Sequence, residues 1–137
     1  MSAPQSVLDR WNACGWYRLT GLEVIDANEV GSRFRMTVGD DHLQAYGTAH
    51  GGSLAGLLDA AMGLAIIARL DDGEGCATIE MKINFTAPVT PGDITATGQV
   101  VTLGRRVVVA RADAMNADGR IAATALGTFS RFTDEGA

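Results

Sequence analysis

The sequence predicts an α+β fold in which one antiparallel sheet curls round a single long, buried helix. The first observation is a segment at residues 53–70 that is apolar nearly all round, as expected for a helix covered on most sides. The second is that strand-like segments stand on both sides of it in the chain. The third is the length, since 137 residues suit one domain and each half alone would bury too small a core. One sheet wrapped round one helix satisfies all three.

Short elements precede the long helix. Val7, Leu8 and Trp11 recur at helical spacing, which predicts an amphipathic helix that ends at Gly15. Alternating apolar positions with turn residues between them predict two strands after it. In chain order, the predicted segments are a loose tail at 1–5, a helix at 6–14, strands at 22–28 and 33–38, and a polar loop at 39–46.

Strands dominate the chain after the long helix. The segment 78–85 alternates, which predicts that Ile79, Met81, Ile83 and Phe85 share one face and that Glu80, Lys82 and Asn84 share the other. Turn-forming residues separate the segments that follow. Further strands are predicted at 94–101, 106–115 and 120–132, with a loose tail at 133–137.

Composition excludes several classes of function. With 47% hydrophobic residues, the chain has a composition typical of globular proteins, and no apolar stretch is long enough to cross a membrane. A formal charge of −5 argues against nucleic acid as a partner, because such proteins usually present a basic field to phosphate. Lys82 is the only lysine, so the remaining positive charge is arginine, which is well suited to holding one anionic ligand.

The cysteines and the acidic residues do not indicate a metal site. Cys14 and Cys76 are isolated and have no companions at zinc-ligand spacing, so they are expected to be small buried hydrophobes. Asp40, Asp41 and His42 are crowded in a polar loop and do not favour a metal site either. The N-terminal residues do not resemble a secretory signal, and a reducing cytoplasm is the expected location.

Asp59 is the most unusual ionisable residue. It is the only ionisable side chain between His50 and Arg69, about two turns into a helix of Leu, Ala, Gly and Met. A buried carboxylate is costly unless it is paired, hydrogen-bonded or protonated. Either Asp59 faces solvent on a small polar face, or it has a functional role, and its apolar neighbours favour the second.

The residues His50-Gly51-Gly52 stand at the start of the same helix. Glycine allows a ligand to approach the backbone closely, and the first N–H groups of a helix have no intrahelical acceptor. The positive end of the helix dipole suits a carbonyl oxygen that becomes an oxyanion. The alternative is a tight corner that needs glycine only for its dihedral angles. His50 alone is more often a structural residue than a base.

The spacing of these residues favours a homodimer. Gly51 and Asp59 are eight positions apart, which is about 12 Å along a helix and too far for both to reach one carbonyl group. Two such helices that run antiparallel across a dimer axis would bring Gly51 of one subunit beside Asp59 of the other.

The stretch Gly47-Thr48-Ala49-His50-Gly51-Gly52, continued through Asp59 to Gly63, resembles the signature of hotdog-fold acyl-CoA thioesterases. The phenylacetate-pathway PaaI-type and 4-hydroxybenzoyl-CoA thioesterases are the most similar group. The strand 78–85, the turn 87–93 and the Gly104-Arg105 loop before a valine-rich strand also match, so the resemblance covers most of the chain. It implies a hotdog fold, a homodimer or dimer of dimers, and hydrolysis of an acyl-CoA.

The resemblance also implies roles for individual residues. Asp59 matches the acidic residue that acts as general base or as nucleophile at the thioester, and both mechanisms stay open. The backbone N–H of Gly51 and the side chain of Gln44 match the groups that hold the thioester oxygen, and Gly52 is a candidate for substrate binding. His50 matches a residue that shapes the site or contacts the thiol side, and Thr78 matches one that orients the attacking water.

Further residues are implied for substrate binding. Tyr46 is a candidate for lining the acyl pocket, and Arg105 and Arg106 are candidates for contacting the phosphates of coenzyme A. Gly63 stands where some relatives have a hydroxyl group, which shifts a water-holding role toward Thr78. No metal or cofactor is expected, because coenzyme A is part of the substrate.

Two alternatives to hydrolysis remain from the sequence. The first is a hotdog hydratase or dehydratase that acts on an acyl thioester, and the second is a non-catalytic acyl-CoA-binding protein with the same fold. The acyl group itself is open, and both aromatic groups of the phenylacetyl or hydroxybenzoyl type and medium-chain groups fit a pocket of Leu, Ala, Met and Gly.

Overall fold

A computed structural model describes residues 2–133. The two N-terminal helices pack beside the first strands, and the long helix precedes the remaining four strands. The elements are α1 (Gln5–Asn12), α2 (Gly15–Thr20), β1 (Leu22–Ala27), β2 (Ser32–Val38), a short 3₁₀ turn (Asp40–His42), α3 (Gly51–Ile67), β3 (Glu74–Phe85), β4 (Gly92–Leu103), β5 (Val107–Met115) and β6 (Ile121–Thr133).

All six strands form one antiparallel sheet in the order β1-β2-β4-β5-β6-β3. Helix α3 contacts every one of these strands, so the sheet must curve round it. The predicted α+β architecture with one enclosed helix is therefore confirmed. Strand β3, which directly follows α3 in the chain, lies at a free edge of the sheet.

Helix α3 is the centre of the core. Its buried side chains pack on Phe34, Met36, Ile94, Val108 and Phe129 of the sheet. Much of the sheet surface beneath the helix is alanine, which lets the helix lie close to the strands without voids. The buried residues of α3 are Leu54, Leu57, Leu58, Ala61, Met62, Leu64, Ala65 and Ile66, and the buried strand alanines are Ala27, Ala96, Ala110, Ala112, Ala114, Ala122, Ala123 and Ala125.

A notch between β2 and β4 fixes the height of α3 above the sheet. Ser32, which is only 2% exposed, donates a hydrogen bond from its Oγ to the carbonyl oxygen of Ala61 at 2.5 Å. Gly98 pairs with Ser32 across the two strands, and a Cβ atom at Gly98 would lie 2.1 Å from the same carbonyl oxygen. The serine supplies the bond and the glycine supplies the space, so the helix rests directly on the backbone of β4.

Several boundaries differ from the sequence prediction. Gly15, expected to end the first helix, is instead the first residue of α2, and Gly21 caps the end of that helix with a left-handed φ of 74°. The expected loop at 39–46 contains a 3₁₀ turn. The backbone N–H of Ala3 donates to the carbonyl oxygen of Ala27 at 2.7 Å, and Gln5 already belongs to α1, so residues 2–5 are not a loose tail.

The C-terminal boundary also differs. Thr133, expected to begin a loose tail, is the last residue of β6 and pairs with Glu74 of β3. The remainder of the two predicted tails, at residues 1 and 134–137, lies outside the described residues. Within residues 2–133, no helix is both long and apolar enough to cross a membrane.

We expect Gly98→Ala to destabilise the protein strongly, because its Cβ would overlap a helix carbonyl that cannot move away without shifting α3. Overpacking of this kind costs about 1–3 kcal/mol or more, which urea unfolding would detect. Gly39→Ala is the matched control, since a Cβ there meets nothing within 4 Å and the backbone does not need a positive φ. Equal stabilities of the two variants would contradict the notch.

Candidate active site

The start of α3 is capped by a histidine side chain. His50 is the N-cap residue, and its Nδ1 accepts a hydrogen bond from the backbone N–H of Gly52 at 2.8 Å. The N–H of Ser53 donates to the His50 carbonyl oxygen at 2.9 Å. Gly51 is the first residue of the helix, so its N–H has no intrahelical acceptor. The His50 side chain therefore satisfies the N–H of Gly52 and leaves the N–H of Gly51 available to a ligand.

A cavity of about 440 Å³ opens at this end of the helix and is called the helix-start cavity. The ring of Phe85 covers Gly51 so closely that a Cβ there would lie 3.1 Å from the ring edge. Gln44 also lines this cavity, and its Nε2 donates to Thr48 Oγ1 at 2.6 Å while its Oε1 accepts from the N–H of Tyr46. Since an amide nitrogen has two N–H groups, Gln44 keeps one donor for a further acceptor.

A second cavity of about 260 Å³ contains the acidic residue and is called the Asp59 cavity. Asp59 is half-buried, and its Oδ1 accepts a hydrogen bond from the Oγ1 of Thr78 at 2.6 Å. The remaining walls come mainly from α1, α2 and α3 and are mostly apolar or aromatic. The lining residues are Trp11, Cys14, Trp16, Tyr17, Gly56, Asp59, Ala60, Gly63, Leu64, Ile67, Cys76, Ala77, Thr78 and Phe129.

Asp59 influences two other ionisable groups in its cavity. Burial raises the pKa of the Cys76 thiol to about 11, and the neighbouring Asp59 carboxylate adds to the rise. Burial also raises the pKa of the Tyr17 phenol, with smaller contributions from Cys14, Asp59 and Cys76. The Cys76 thiol is therefore protonated at neutral pH and is a poor nucleophile. This leaves the Asp59 carboxylate as the candidate base or nucleophile of the cavity.

A β-bulge in β3 aims Thr78 at Asp59. Thr78 pairs with Phe129 and Glu80 pairs with Thr128, so Ile79 is an extra residue without a partner on β6. With regular alternation, Thr78 and Glu80 would point to the same face, yet Glu80 bonds to Thr128 on the outer face while Thr78 reaches α3. Bulges commonly re-aim a side chain next to a functional site.

The bulge also corrects the predicted faces of this strand. Met81 and Ile83 pack against the core as expected, whereas Ile79 does not share their environment and is 57% exposed. The prediction was wrong for Ile79 because it assumed an unbroken alternation through residues 78–85.

A family model of the thioesterase superfamily matches residues 46–123 of this chain. The chain belongs to the thioesterase superfamily. The matched residues include Gly51, at the helix-start cavity, and Asp59, at the Asp59 cavity. The match continues through β3, β4 and β5.

Relatives and solved structures agree with this membership. A protein of Halobacterium salinarum that carries an esterase name is 31% identical over 132 residues, covering 88% of this chain and 87% of that protein. A thioesterase of Haemophilus influenzae has a TM-score of 0.89 at 22% identity, covering 97% of this chain and 93% of that one. The E. coli PaaI protein from the phenylacetic acid degradation operon has a TM-score of 0.85 at 25% identity, covering 93% and 91%. The hotdog fold implied by the resemblance is confirmed.

In this thioesterase superfamily member, one chain does not bring all the expected site residues together. Gly51, with Gln44, lines the helix-start cavity, and Asp59, with Thr78, lines the Asp59 cavity. The eight positions between Gly51 and Asp59 separate the two pairs by about 12 Å along α3. Tyr46 is 93% exposed and lines neither cavity.

The two arginines expected to contact coenzyme A lie exposed in the turn between β4 and β5. The carbonyl oxygen of Arg106 accepts from the N–H of Arg131, which pairs with Cys76 on β3. Arg106 thus stands two strand spacings, about 10 Å, from the edge of the Asp59 cavity. Among residues 2–133, no group of three or more His, Cys, Asp or Glu side chains is arranged to hold a metal ion.

His42 has a structural role that sequence reasoning missed. Its Nε2 donates to the carbonyl oxygen of Thr20 at 2.6 Å, and its Nδ1 accepts from the N–H of Gly39 at 3.0 Å. Its own carbonyl oxygen accepts from the N–H of His50 at 2.7 Å. His42 therefore ties the end of α2 to the start of α3, which positions the walls of the Asp59 cavity relative to the helix start.

Helix α2 was missed as well, and with it the role of Tyr17 and Trp16 as cavity walls. Trp16 lies over Gly56, where a Cβ would be 3.3 Å from its Nε1. The available signal was the segment 16–20 followed by Gly21, since glycine often ends a helix in the left-handed conformation.

The raised pKa of Cys76 predicts slow alkylation by iodoacetamide. In a Cys14→Ala variant, which leaves Cys76 as the single thiol, we expect the rate to rise about tenfold per pH unit between pH 8 and 10, because only the thiolate reacts. No plateau should occur below about pH 11. Asp59→Asn removes the neighbouring negative charge, so the rate at pH 9 should increase. A plateau near pH 8.5 would show that the thiol is solvated and distant from Asp59.

Proposed function

We propose that the protein is an acyl-CoA thioesterase that hydrolyses an acyl-CoA to the free acid and coenzyme A. The observation that supports this best is the Asp59 carboxylate, held by Thr78 at 2.6 Å in the wall of a mostly apolar cavity, in a thioesterase superfamily chain. An apolar cavity suits the acyl group, and a fixed carboxylate beside it suits attack on the thioester carbon.

The reaction needs an electrophilic carbonyl group and a nucleophile. The N–H of Gly51 and the spare N–H of Gln44 would hold the carbonyl oxygen and stabilise its negative charge as the tetrahedral intermediate forms. Asp59 would take a proton from a water molecule that attacks the carbonyl carbon, after which the C–S bond breaks and the thiolate of coenzyme A leaves. Alternatively, Asp59 attacks directly, and water then resolves the acyl-enzyme anhydride.

We infer that each active site is shared by two copies of the chain. Within one chain, Thr78 of β3 contacts Asp59 and Phe85 of the same strand contacts Gly51. Antiparallel pairing of two β3 strands about a two-fold axis midway between Thr78 and Phe85 would bring Asp59 of one protomer toward the partner's Gly51. The two cavities would then adjoin across the interface, each supplying what the other lacks.

Strand β3 has the properties that such pairing requires. It is a 12-residue edge strand of the sheet, and its Ile79 and Phe85 are 57% and 53% exposed. A long apolar edge with unpaired backbone groups is a template for another strand. A dimer, or a dimer of dimers, would cover it.

Further observations support an assignment for the coenzyme A and acyl parts of the substrate. Arg105 and Arg106 are exposed on the β4–β5 turn near the Asp59 cavity, where their guanidinium groups could contact the nucleotide phosphates. The aromatic walls of the cavity and the likeness to the E. coli PaaI protein favour an aromatic acyl group over a medium-chain one. The unpaired thiols of Cys14 and Cys76 fit a reducing cytoplasm.

Free-thiol release from a panel of phenylacetyl-, benzoyl- and octanoyl-CoA tests the proposed reaction. We expect thiol release by the wild type and a loss of about 10²–10⁴-fold in kcat for Asp59→Asn, which keeps the shape of the side chain but removes the base. Full activity in Asp59→Asn would contradict the role of this carboxylate. Hydration of an unsaturated acyl-CoA without thiol release would identify a hydratase, and binding without any turnover would identify a non-catalytic binding protein.

Mixing two inactive variants tests the shared site. Gly51→Pro removes the N–H at a helix position that tolerates proline, and the extended backbone of His50 is compatible with it. Loss of this donor should lower kcat about 10²–10³-fold, whereas Gly51→Ala, the matched control, keeps the N–H. After subunit exchange between Gly51→Pro and Asp59→Asn, half of the dimers are hybrids with one intact site, so activity should return to about a quarter of wild type. No recovery despite verified exchange would place the whole site in one chain.

A further inference from the structure

The turn between β4 and β5 is held in place by one residue of β6, Arg131. Its Nη1 donates a hydrogen bond to the carbonyl oxygen of Gly104 at 2.9 Å, and its backbone N–H donates to the carbonyl oxygen of Arg106 at 2.8 Å. The turn is also compact, because a Cβ atom at Gly104 would lie 2.3 Å from the carbonyl oxygen of Val107. Two of the three carbonyl groups of residues 104–106 are therefore bonded to a single residue.

Glu74 fixes the orientation of this guanidinium group. Both carboxylate oxygens of Glu74 accept hydrogen bonds from Nη2 of Arg131 at 2.9 Å. One of them, Oε2, also accepts from the backbone N–H of Asp71 at 2.9 Å. The N–H of Asp71, together with Arg131, holds the pKa of Glu74 below its ordinary value, so the carboxylate is ionised at neutral pH. The β4–β5 turn is thus tied through Arg131 and Glu74 to the segment that connects α3 to β3.

This network is better suited to fixing geometry than to stabilising the fold. The side chains of Arg131 and Glu74 are only 17% and 28% exposed, and a mostly buried ion pair loses in desolvation much of what it gains in attraction. The Nε of Arg131 is also buried without a hydrogen-bond partner among residues 2–133, which is a further cost. The role of Arg131 therefore lies in the shape of the turn that it holds.

This turn carries Arg105 and Arg106, the two exposed arginines that are candidates for contacting coenzyme A. A guanidinium group binds phosphate most strongly when two of its N–H groups meet two oxygens, and such a contact requires a defined direction of approach. The backbone of the turn sets the direction in which both side chains leave it. Arg131 bonds to the carbonyl groups of that backbone, so it also controls this direction.

We propose that Arg131 is a positioning residue for substrate binding, which holds the β4–β5 turn in the conformation that directs Arg105 and Arg106 to the phosphates of coenzyme A. Its own guanidinium group is mostly buried and is engaged by Gly104 and Glu74, so it acts through the turn and not by contact with the substrate. This inference rests on the proposed acyl-CoA thioesterase function, in which the two exposed arginines contact the nucleotide.

Binding of coenzyme A itself, measured by calorimetry, tests the proposal without turnover. We expect Arg131→Met to raise the Kd for coenzyme A about tenfold, because the two exposed arginines lose their common direction. In a variant that already carries Arg105→Ala and Arg106→Ala, Arg131→Met should add no further loss, since the side chains that it positions are gone. Arg111→Met is the matched control. It removes an exposed arginine that bonds to Gln99 instead of the turn, and should leave the Kd within about twofold of wild type.

Glu74→Gln and Arg131→Lys separate positioning from simple electrostatics. Glu74→Gln removes a negative charge near the turn, which by charge alone would strengthen the binding of an anion. It also places an amide nitrogen, itself a donor, against Arg131, so we expect the opposite result, a Kd that rises about three- to tenfold. Arg131→Lys keeps the charge but not the planar fork, and should weaken binding as Arg131→Met does. In variants with wild-type melting temperatures, tighter binding by Glu74→Gln or unchanged binding by Arg131→Lys would overturn the proposal.

Kinetics with a matched pair of substrates distinguishes this proposal from the proposed reaction. Phenylacetyl-CoA and phenylacetyl-pantetheine contain the same thioester, but only the first carries the nucleotide phosphates. Arg131→Met should raise KM about tenfold for the first with little change in kcat, and leave both constants unchanged for the second. If neither thioester is hydrolysed but coenzyme A binding changes as expected, the proposed reaction fails and the role of Arg131 stands. If hydrolysis occurs and Arg131→Met affects both substrates equally or not at all, the reaction stands and the role of Arg131 fails.

Discussion

The position of helix α3 depends on one contact, in which the carbonyl oxygen of Ala61 rests in the notch made by Ser32 and Gly98. Since that carbonyl lies only two residues beyond Asp59, the depth of the helix in the sheet also decides how far the carboxylate stands from β3. The buried hydroxyl of Ser32 replaces water as the hydrogen-bond donor to that carbonyl oxygen, and the bond of 2.5 Å leaves the helix little room to move. A substitution that moves α3 away from the sheet would therefore disturb both the core and the candidate active site.

The proposed mechanism uses two positions of the enclosed helix, its first turn and its third turn, for different chemistry. The first turn offers a backbone donor because the His50 side chain has already satisfied Gly52, and the third turn offers a carboxylate because Thr78 holds it. The rigid rise of an α-helix prevents one chain from joining the two. A helix enclosed by its own sheet cannot bend to close that gap, which is why the proposed site takes one part from each of two copies of the chain.

Much of this could be predicted from the sequence, because the decisive patterns are local. An apolar run of helical length, alternating strands after it and a lone carboxylate at Asp59 are all visible without tertiary information. The features that were missed depend on contacts between distant segments. Helix α2 is short and draws its stability from packing Tyr17 against Phe34, and His42 bridges elements that only the fold brings together.

The bulge at Ile79 divides strand β3 into two parts that differ in which side chains face the helix. Residues before it present even-numbered side chains to the helix, and residues after it present odd-numbered ones. The extra residue changes the count along the strand but not the pairing on either side of it, because Thr78 lies opposite Phe129 and Glu80 opposite Thr128, so a strand without Ile79 would keep both pairings. In a homologous strand without the extra residue, the hydroxyl side chain would lie two positions before the equivalent of Met81 rather than three. Sequence alignments of this region should therefore match residues whose side chains point to the same face of the sheet, with a gap at the bulge where a relative lacks the extra residue.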